Sequence, residues 1–456
     1  MPRTERRHPH QPDRRNTGRR VALIRGAGIA GAALVLGAVV TPSTVHAAAD
    51  GSDGRWYYDI PRLAEVHQRT TGTGITIGLI DGRINTAVPD LVGADITVHE
   101  PSYCAAVEGG EAYPAITTEP DAEHATSMAT MLVGRDAGLN GQPGIPGVAP
   151  GASLRVYVVA REDADPCEPP AGQPKPPSAD ATSDQVVRDA IADGVDIIVV
   201  PGARRMTAEV VAEAQRAGVI VIGSAGNDTG IVTGKPATYN GVVSTGTVTS
   251  AAELDLGSPS GARLGVVAPG AKTRAMAGTW DFYGTSTGSS NSAAYTAGAL
   301  ALAWSAHPDA TANQILQALV LTAGGTVKDT PVHDDDWGYG LVNARTLVSV
   351  DPTTYPDENP FLSDDPTLEP LAGDVLGADP STDTEPAPGT AAPVEPSGAT
   401  AAGTTGNDVP VLAIIGGAAV VLVVVGGTAG FLLARRRRVT RGDATGHDPH
   451  RQARSS

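Results

Sequence analysis

Short apolar runs alternate with helical patterns along the middle of the chain, and this alternation constrains the fold more than any other feature. Residues 195–200, apolar except for Asp196, and the continuous apolar run 219–222 have strand length, and helical patterns at about 183–192 and 207–217 flank them. Strands that are apolar on both faces need helices to cover both faces. The sequence therefore predicts an α/β protein with a parallel sheet between two layers of helices.

More elements of the same kinds extend this pattern in both directions. Further strands are predicted at four apolar runs, residues 74–80, 154–159, 242–245 and 264–267. Further helices are predicted at residues 124–133, from residue 290 onward, and at about 312–322. Residues from about 93 to 120 and the Pro-rich stretch 161–178 are predicted to be loops. In parallel sheets of this kind, functional groups gather at the carboxyl ends of the strands.

The first 49 residues have the pattern of an export signal. Eight arginines end at Arg25, an apolar run follows at residues 26–40, and small residues follow at 45–49. Residues 1–49 are therefore predicted to be a cleaved signal peptide. The pair Arg19-Arg20 leaves both the twin-arginine route and the general route open.

The other end of the chain has the pattern of a single membrane span. Residues 411–434 are apolar and uncharged, and four arginines follow at residues 435–438. A run of this length crosses a bilayer as a helix, and flanking arginines favour the cytoplasmic side. The sequence predicts a transmembrane helix at 409–434 and a basic cytoplasmic tail at 435–456. The predicted location is the cell membrane, with the body of the protein outside.

Between these two ends, charge and composition distinguish a folded domain from a linker. Residues 50–408 carry 46 acidic and 18 basic groups, a net charge of −28, which argues against a nucleic-acid partner. Residues 351–408 contain no lysine or arginine and are rich in Pro, Asp, Glu, Thr and Gly. They are predicted to be a disordered acidic linker, so that residues 50–350 form the folded domain.

Cys104 and Cys167 are the only cysteines of the chain. Outside the cytoplasm, two cysteines can pair as a disulfide. Two cysteines at this spacing make a poor metal site, and no metal site or cofactor is predicted. The sequence leaves structural calcium open.

Four polar residues stand at the edges of predicted elements and together suggest nucleophilic catalysis. Asp81 ends a buried strand, His124 begins a helix, Asn227 ends another strand in a Gly-rich turn, and Ser290 lies at the start of a long apolar helix. A serine at a helix start has an exposed hydroxyl and an unpaired N–H that can stabilise an oxyanion. Each residue alone is as common in a turn or cap. Their order, Asp-His-Asn-Ser, is that of subtilisin-type proteases.

The motifs around these residues resemble those of the subtilases, the subtilisin-like serine proteases. The resemblance covers about residues 60–350 and includes the segments Ile80-Asp81-Gly82, His124-Ala125-Thr126, Ser224-Ala225-Gly226-Asn227 and Gly288-Ser289-Ser290-Asn291-Ser292-Ala293-Ala294. It implies a subtilisin-like fold and hydrolysis of protein or peptide substrates. By this resemblance, Asp81, His124 and Ser290 are the catalytic triad, and Asn227 is the oxyanion donor. Ser286 also begins a similar motif, but only Ser290 keeps the family's distance to Gly298.

Several positions depart from the family pattern. Ala125 replaces a glycine beside the histidine, and Ala294 replaces the proline after the nucleophile. Residues 200–203 replace the Ser-Leu-Gly strand that pairs with the substrate backbone, and Pro201 has no N–H to offer. These departures leave open a second interpretation, a catalytically weak or inactive subtilase scaffold.

The order of segments resembles that of the mycosins, the membrane-anchored subtilases of type VII secretion systems. Both have a signal peptide, a subtilase domain, a Pro-rich linker, one C-terminal span and a basic tail. This resemblance implies a protease outside the cytoplasm that processes a secretion substrate. It also implies association with a type VII secretion complex in the membrane, where the inactive scaffold of the second interpretation would have a structural role.

Overall fold

The computed structural model describes residues 53–159 and 166–377. The predicted signal peptide (1–49), transmembrane helix (409–434) and cytoplasmic tail (435–456) lie outside these residues. Within the described ranges, no helix is long and apolar enough to cross a membrane.

Seven parallel strands form the central sheet, as the alternation predicts. In chain order they are β1 (Thr76–Asp81), β2 (Ile96–Val98), β3 (Ser153–Val158), β4 (Ile197–Val200), β5 (Ile220–Ser224), β6 (Val243–Val248) and β7 (Val266–Pro269). Their spatial order is β2-β3-β1-β4-β5-β6-β7. The chain therefore winds from β1 toward one edge, returns, and winds from β4 toward the other edge. The point where the direction reverses, between β1 and β4, is where such sheets place a functional crevice.

Helices cover both faces of this sheet. They are α1 (Trp56–Asp59), α2 (Leu63–Val66), α3 (Glu123–Val133), α4 (Asp184–Ala192), α5 (Ala208–Arg216), α6 (Ser289–Ala306), α7 (Ala312–Thr322), α8 (Ala344–Leu347) and α9 (Ala372–Leu376). Alternate residues of β4 enter opposite cores, since Ile197 and Val199 pack with α3, α6 and α7. Ile198 and Val200 pack with α4 and α5 instead. This is the pattern of a strand that is buried on both faces.

Helix α6 crosses the centre of one face, and its small residues let it lie close to its neighbours. It contacts α3 and the strands β4 to β7. A Cβ atom at Gly298 would lie 2.7 Å from Cβ of Val148, which is too close for any other residue. The helix is apolar nearly all round because it is buried nearly all round.

Two parts of the sheet structure are absent from the sequence prediction. The region predicted to be loop from about 93 to 120 contains β2, which pairs with β3 at the sheet edge. An antiparallel hairpin, β8 (Thr273–Met276) and β9 (Tyr283–Ser286), precedes α6. These strands have only three or four residues, and β2 is only partly buried. Their hydrophobic pattern is therefore too short to be recognised in the sequence.

The prediction of a disordered linker from residue 351 is wrong for residues 351–377, which we call the C-terminal strap. The strap begins with a 3₁₀ turn, Pro352–Thr354, and ends with α9. The side chain of Asn240, fully buried, bonds to Ser363 and Pro370 of the strap. Its Phe361 packs against the core next to Tyr339. The strap is acidic and Pro-rich, yet a few anchoring contacts hold it on the domain.

Cys104 and Cys167 form a disulfide that joins two segments 63 residues apart. The backbones beside it also pair, because the N–H of Ala105 donates to the carbonyl of Glu168 at 2.8 Å. Cys104 is buried, with 1% of its surface exposed. The disulfide thus joins the segment between β2 and α3 to the loop that follows β3.

Candidate active site

The strand order brings three of the chemically important segments together. Strands β1, β4 and β5 are consecutive in the sheet and parallel, so their carboxyl ends lie side by side. Asp81 is the last residue of β1, Pro201 follows β4, and Asn227 follows β5 within three residues. Residues far apart along the chain thus meet at one edge of the sheet, next to the point where the winding reverses.

Asp81 and His124 are bonded to each other. The imidazole Nδ1 of His124 lies 2.6 Å from Oδ2 of Asp81. His124 is the second residue of α3, and 18% of its side chain is exposed, whereas Asp81 is fully buried. Since an ionised carboxylate only accepts hydrogen bonds, this contact places a proton on Nδ1 and directs Nε2 away from Asp81.

The buried carboxylate of Asp81 is kept ionised by its surroundings. Burial raises the pKa of Asp81, but the nearby imidazole of His124, the guanidinium of Arg204 and the N–H of Gly82 outweigh it and leave the pKa below its ordinary value. Oδ1 accepts from the Gly82 N–H at 2.7 Å and from Arg204 at 3.3 Å. Sequence reasoning does not find Arg204; its one signal is an arginine four residues after the end of a buried strand.

Ser290 lies at the start of α6, but its hydroxyl does not bond to the imidazole. The hydroxyl donates to the carbonyl oxygen of Pro201 at 2.6 Å. The backbone N–H of Ser290 has no hydrogen-bond partner among the described residues. It is one of the free donors of the first helical turn, where the helix dipole favours negative charge. Ser290 therefore has both a nucleophilic oxygen and a free donor beside it.

Asn227 is held by the same helix start. Its Oδ1 accepts from the N–H of Ser289 at 2.8 Å and from the Ser289 hydroxyl at 3.1 Å. The amide nitrogen Nδ2 makes no hydrogen bond to any described residue, and Asn227 is exposed. The fixed oxygen orients the side chain, and the nitrogen is left as a free donor on a residue that lines the same cavity as Ser290.

His124, Asn227 and Ser290 line one open cavity of about 350 Å³. Asp121 and Glu123 form part of its rim. Ser286 also lies there, but it belongs to the strand β9, and its hydroxyl bonds to the side chain of Asn291. Ser286 is therefore not at a helix start and has no free helical N–H beside it. Among the described residues there is no group of three His, Cys, Asp or Glu residues that could hold a metal ion.

Comparison with known proteins agrees with this geometry. The model of the subtilase family matches residues 72–343, more than half of the chain. Subtilisin E of Bacillus subtilis (strain 168) is 30% identical over 291 residues, which are 61% of this chain and 66% of that protein. The match thus spans slightly less than two thirds of that relative.

Solved structures are similar at lower identity. The PatG macrocyclase in complex with peptide is 19% identical, with a TM-score of 0.51 over 64% of this chain and 98% of that chain. A likeness at this identity shows the fold alone. MycP1 from the ESX-1 type VII secretion system is also 19% identical over 67% of this chain and 88% of that chain, with a TM-score of 0.49, too low to support an inference. By the family match and the parallel α/β sheet, this chain belongs to the subtilase family.

Proposed function

We propose that this chain is a serine endopeptidase that hydrolyses peptide bonds through Asp81, His124 and Ser290. The observation that carries the proposal is the 2.6 Å contact between Asp81 and His124, with Ser290 lining the same cavity as the imidazole. A positioned base, its orienting acid and a serine at a helix start are the parts that acyl transfer requires.

Each of these three residues has one role in the proposed reaction. Ser290 Oγ attacks the carbonyl carbon of the substrate, and His124 takes the hydroxyl proton through Nε2. The imidazole then gives this proton to the leaving amine, and an acyl-enzyme remains. Water hydrolyses the acyl-enzyme in the same way, with His124 as the base. Asp81 holds the tautomer with the proton on Nδ1 and stabilises the imidazolium.

The oxyanion is stabilised by two donors that the resting protein leaves free. They are Nδ2 of Asn227 and the backbone N–H of Ser290, both beside the nucleophilic oxygen. Donors that are already oriented cost no rearrangement when the negative charge develops.

The resting hydroxyl of Ser290 has to change its partner before it reacts. Rotation about the Cα–Cβ bond moves Oγ from the Pro201 carbonyl to another staggered position. A substrate that binds in extended form along residues 201–203 can donate its own N–H to that carbonyl. In this way substrate binding releases the hydroxyl to His124.

A fluorophosphonate probe tests the proposal directly. We expect the full-length chain to be labelled at Ser290 and Ser290→Ala to remain unlabelled, because the probe reacts with an activated serine. Mass spectrometry of the labelled peptide identifies the modified residue. Ser286→Ala is the matched control, since it removes a neighbouring hydroxyl in the same cavity and should leave labelling intact. Absence of label on wild type, while a control subtilase is labelled, would remove the protease proposal.

Asn227→Asp tests the oxyanion donor. Aspartate keeps the oxygen that accepts from Ser289 but replaces the free donor with an acceptor. Loss of one such donor typically costs about 2.7–4 kcal/mol of barrier, so we expect a 10²- to 10³-fold slower labelling rate. Unfolding temperature measured in parallel checks that the helix start is intact. A rate within threefold of wild type would show that Asn227 does not stabilise the oxyanion.

We further propose that the protein is anchored in the membrane, faces the outside, and serves type VII secretion. The support is the order of segments in the sequence, which resembles the mycosins, with an apolar run before four arginines. We expect the full-length chain to resist extraction from membranes by alkaline carbonate, and a chain without residues 409–456 to be released. Extraction of both chains alike would contradict the anchor.

One observation favours the alternative, a subtilase scaffold of little or no activity. The Ser290 hydroxyl bonds to Pro201 and not to His124, at a segment that departs from the family pattern. Ser290→Ala distinguishes the two functions in cells. If secretion and substrate processing both persist in this variant, the structural role is favoured; if processing stops, the protease role is favoured.

A further inference from the structure

An arginine that the motifs do not include contacts the acid of the proposed triad. Nη2 of Arg204 lies 3.3 Å from Oδ1 of Asp81, and the two residues are 123 positions apart in the sequence. The Arg204 side chain is 6% exposed and the Asp81 side chain is fully buried. The pair is therefore a buried ion pair at the centre of the site.

We propose that Arg204 is a positioning residue for the proposed triad, holding Oδ1 of Asp81 so that Oδ2 is left to His124 and the carboxylate stays aligned with the imidazole. The inference rests on the proposed protease function and goes beyond it, because it assigns a role to a side chain outside the triad and the oxyanion donor.

The two carboxylate oxygens of Asp81 accept hydrogen bonds from different donors. Oδ1 accepts from Arg204 and from the Gly82 N–H, while Oδ2 accepts from His124 at 2.6 Å. A second guanidinium nitrogen donates to the carbonyl of Ala203 at 2.8 Å, which fixes the direction of the side chain. Because both oxygens are held, the carboxylate cannot rotate away from the imidazole.

The charge of Arg204 acts on Asp81 itself. Burial raises the pKa of a carboxyl group, and the guanidinium on Oδ1 is one of the groups that lower the pKa of Asp81 again, so the carboxylate stays ionised as the acceptor for Nδ1–H of His124. Low exposure of both side chains keeps this interaction unscreened. The charged side chains around the imidazole are Asp81 from β1, Arg204 from the segment after β4, Glu123 on α3, and the exposed pair of Asp121 with Arg83.

A purely structural role is the competing explanation for this arginine. Its backbone N–H donates to the carbonyl of Lys235 at 3.0 Å, and its side chain anchors residues 201–204 beside the cavity. Loss of that anchor would change stability and substrate binding in every replacement of Arg204, whether or not the new side chain carries a charge. The test therefore compares neutral replacements with a charged one.

The readout is the NMR resonance of the His124 Nδ1–H proton, which lies downfield while this proton is hydrogen-bonded to the Asp81 carboxylate. It is recorded on the full-length chain with labelled histidine and assigned with His124→Gln. Arg204→Gln removes the charge and keeps an amide donor, and Arg204→Met is a second neutral variant if the buried amide prevents folding. Arg204→Lys keeps the charge and is the matched control. We expect the neutral variant to lose the downfield resonance, because Oδ1 of Asp81 is no longer held, and the lysine variant to keep it.

An unchanged resonance in the neutral variant, or an equal loss in the lysine variant, would overturn the proposal. The measurement does not require a reactive serine, so it stands even if the fluorophosphonate test of the protease function fails. Where labelling occurs, its rate should fall in the neutral variant and be kept in the lysine variant.

Discussion

Asp81→Asn is expected to slow the reaction of Ser290 with a fluorophosphonate by about 10⁴-fold, the size of loss that this replacement causes in serine protease triads. The asparagine amide can donate to Nδ1 of His124, which then keeps its proton on Nε2. In that tautomer Nε2 is a donor and cannot accept the proton of Ser290. The change thus removes the base without removing the imidazole.

The rate of labelling at pH 7 to 8 measures this effect, since it follows nucleophile activation without knowledge of the natural substrate. Ser286→Ala again serves as the control, because it changes a hydroxyl in the same cavity that no step uses. Circular dichroism and the unfolding temperature should show that Asp81→Asn is folded. Retention of more than a tenth of the wild-type rate in a folded variant would mean that Asp81 does not orient the base.

Removal of the C-terminal strap is expected to have the second large effect, this time on stability. A chain that ends at residue 350 loses the hydrogen bonds between the Asn240 side chain and the strap, each of which contributes about 0.5–1.5 kcal/mol. It also loses the contact of the half-buried Phe361 ring with the core, which costs less than the roughly 3–5 kcal/mol of a fully buried phenylalanine. We therefore expect a chain of residues 50–350 to be at least about 2 kcal/mol less stable than a chain of residues 50–377.

Denaturant unfolding of the two chains compares their free energies of unfolding. Asn240→Ala in the longer chain should reproduce part of the loss, because it removes the anchor and keeps the strap. Asp364→Asn is the matched control on the strap, since Asp364 is exposed and makes no hydrogen bond to a described residue. Equal stability of the two chains, within about 1 kcal/mol, would show that the strap contributes nothing to folding.

Local patterns in the sequence were sufficient to predict the fold class, and they also pointed to the four residues of the proposed site. A continuous apolar run of strand length must be buried on both faces, so its alternation with helices leaves few arrangements other than a covered parallel sheet. Asp81, His124, Asn227 and Ser290 each stand at an element edge. Their position follows from the same local pattern, and their order along the chain gave the resemblance to subtilases.

Tertiary structure decided the contacts that local patterns do not encode. Arg204 reaches Asp81 only because β1 and β4 are neighbours in the sheet, and strand neighbours depend on the path of the whole chain. The Ser290 hydroxyl meets Pro201 for the same reason. Strand β2 is too short to show a period of its own and is defined by its partner β3.

The C-terminal strap shows the limit of composition as a guide. Its acidic, Pro-rich sequence predicts disorder because the average residue there buries little apolar surface. Order in the strap depends on individual contacts, the ring of Phe361 against the core and the backbone groups that a buried Asn240 binds. The sequence by itself thus determined which segments form strands and helices and which residues lie at their ends. The tertiary structure decided which of those ends meet, because burial and hydrogen bonding between distant segments exist only once the chain is folded.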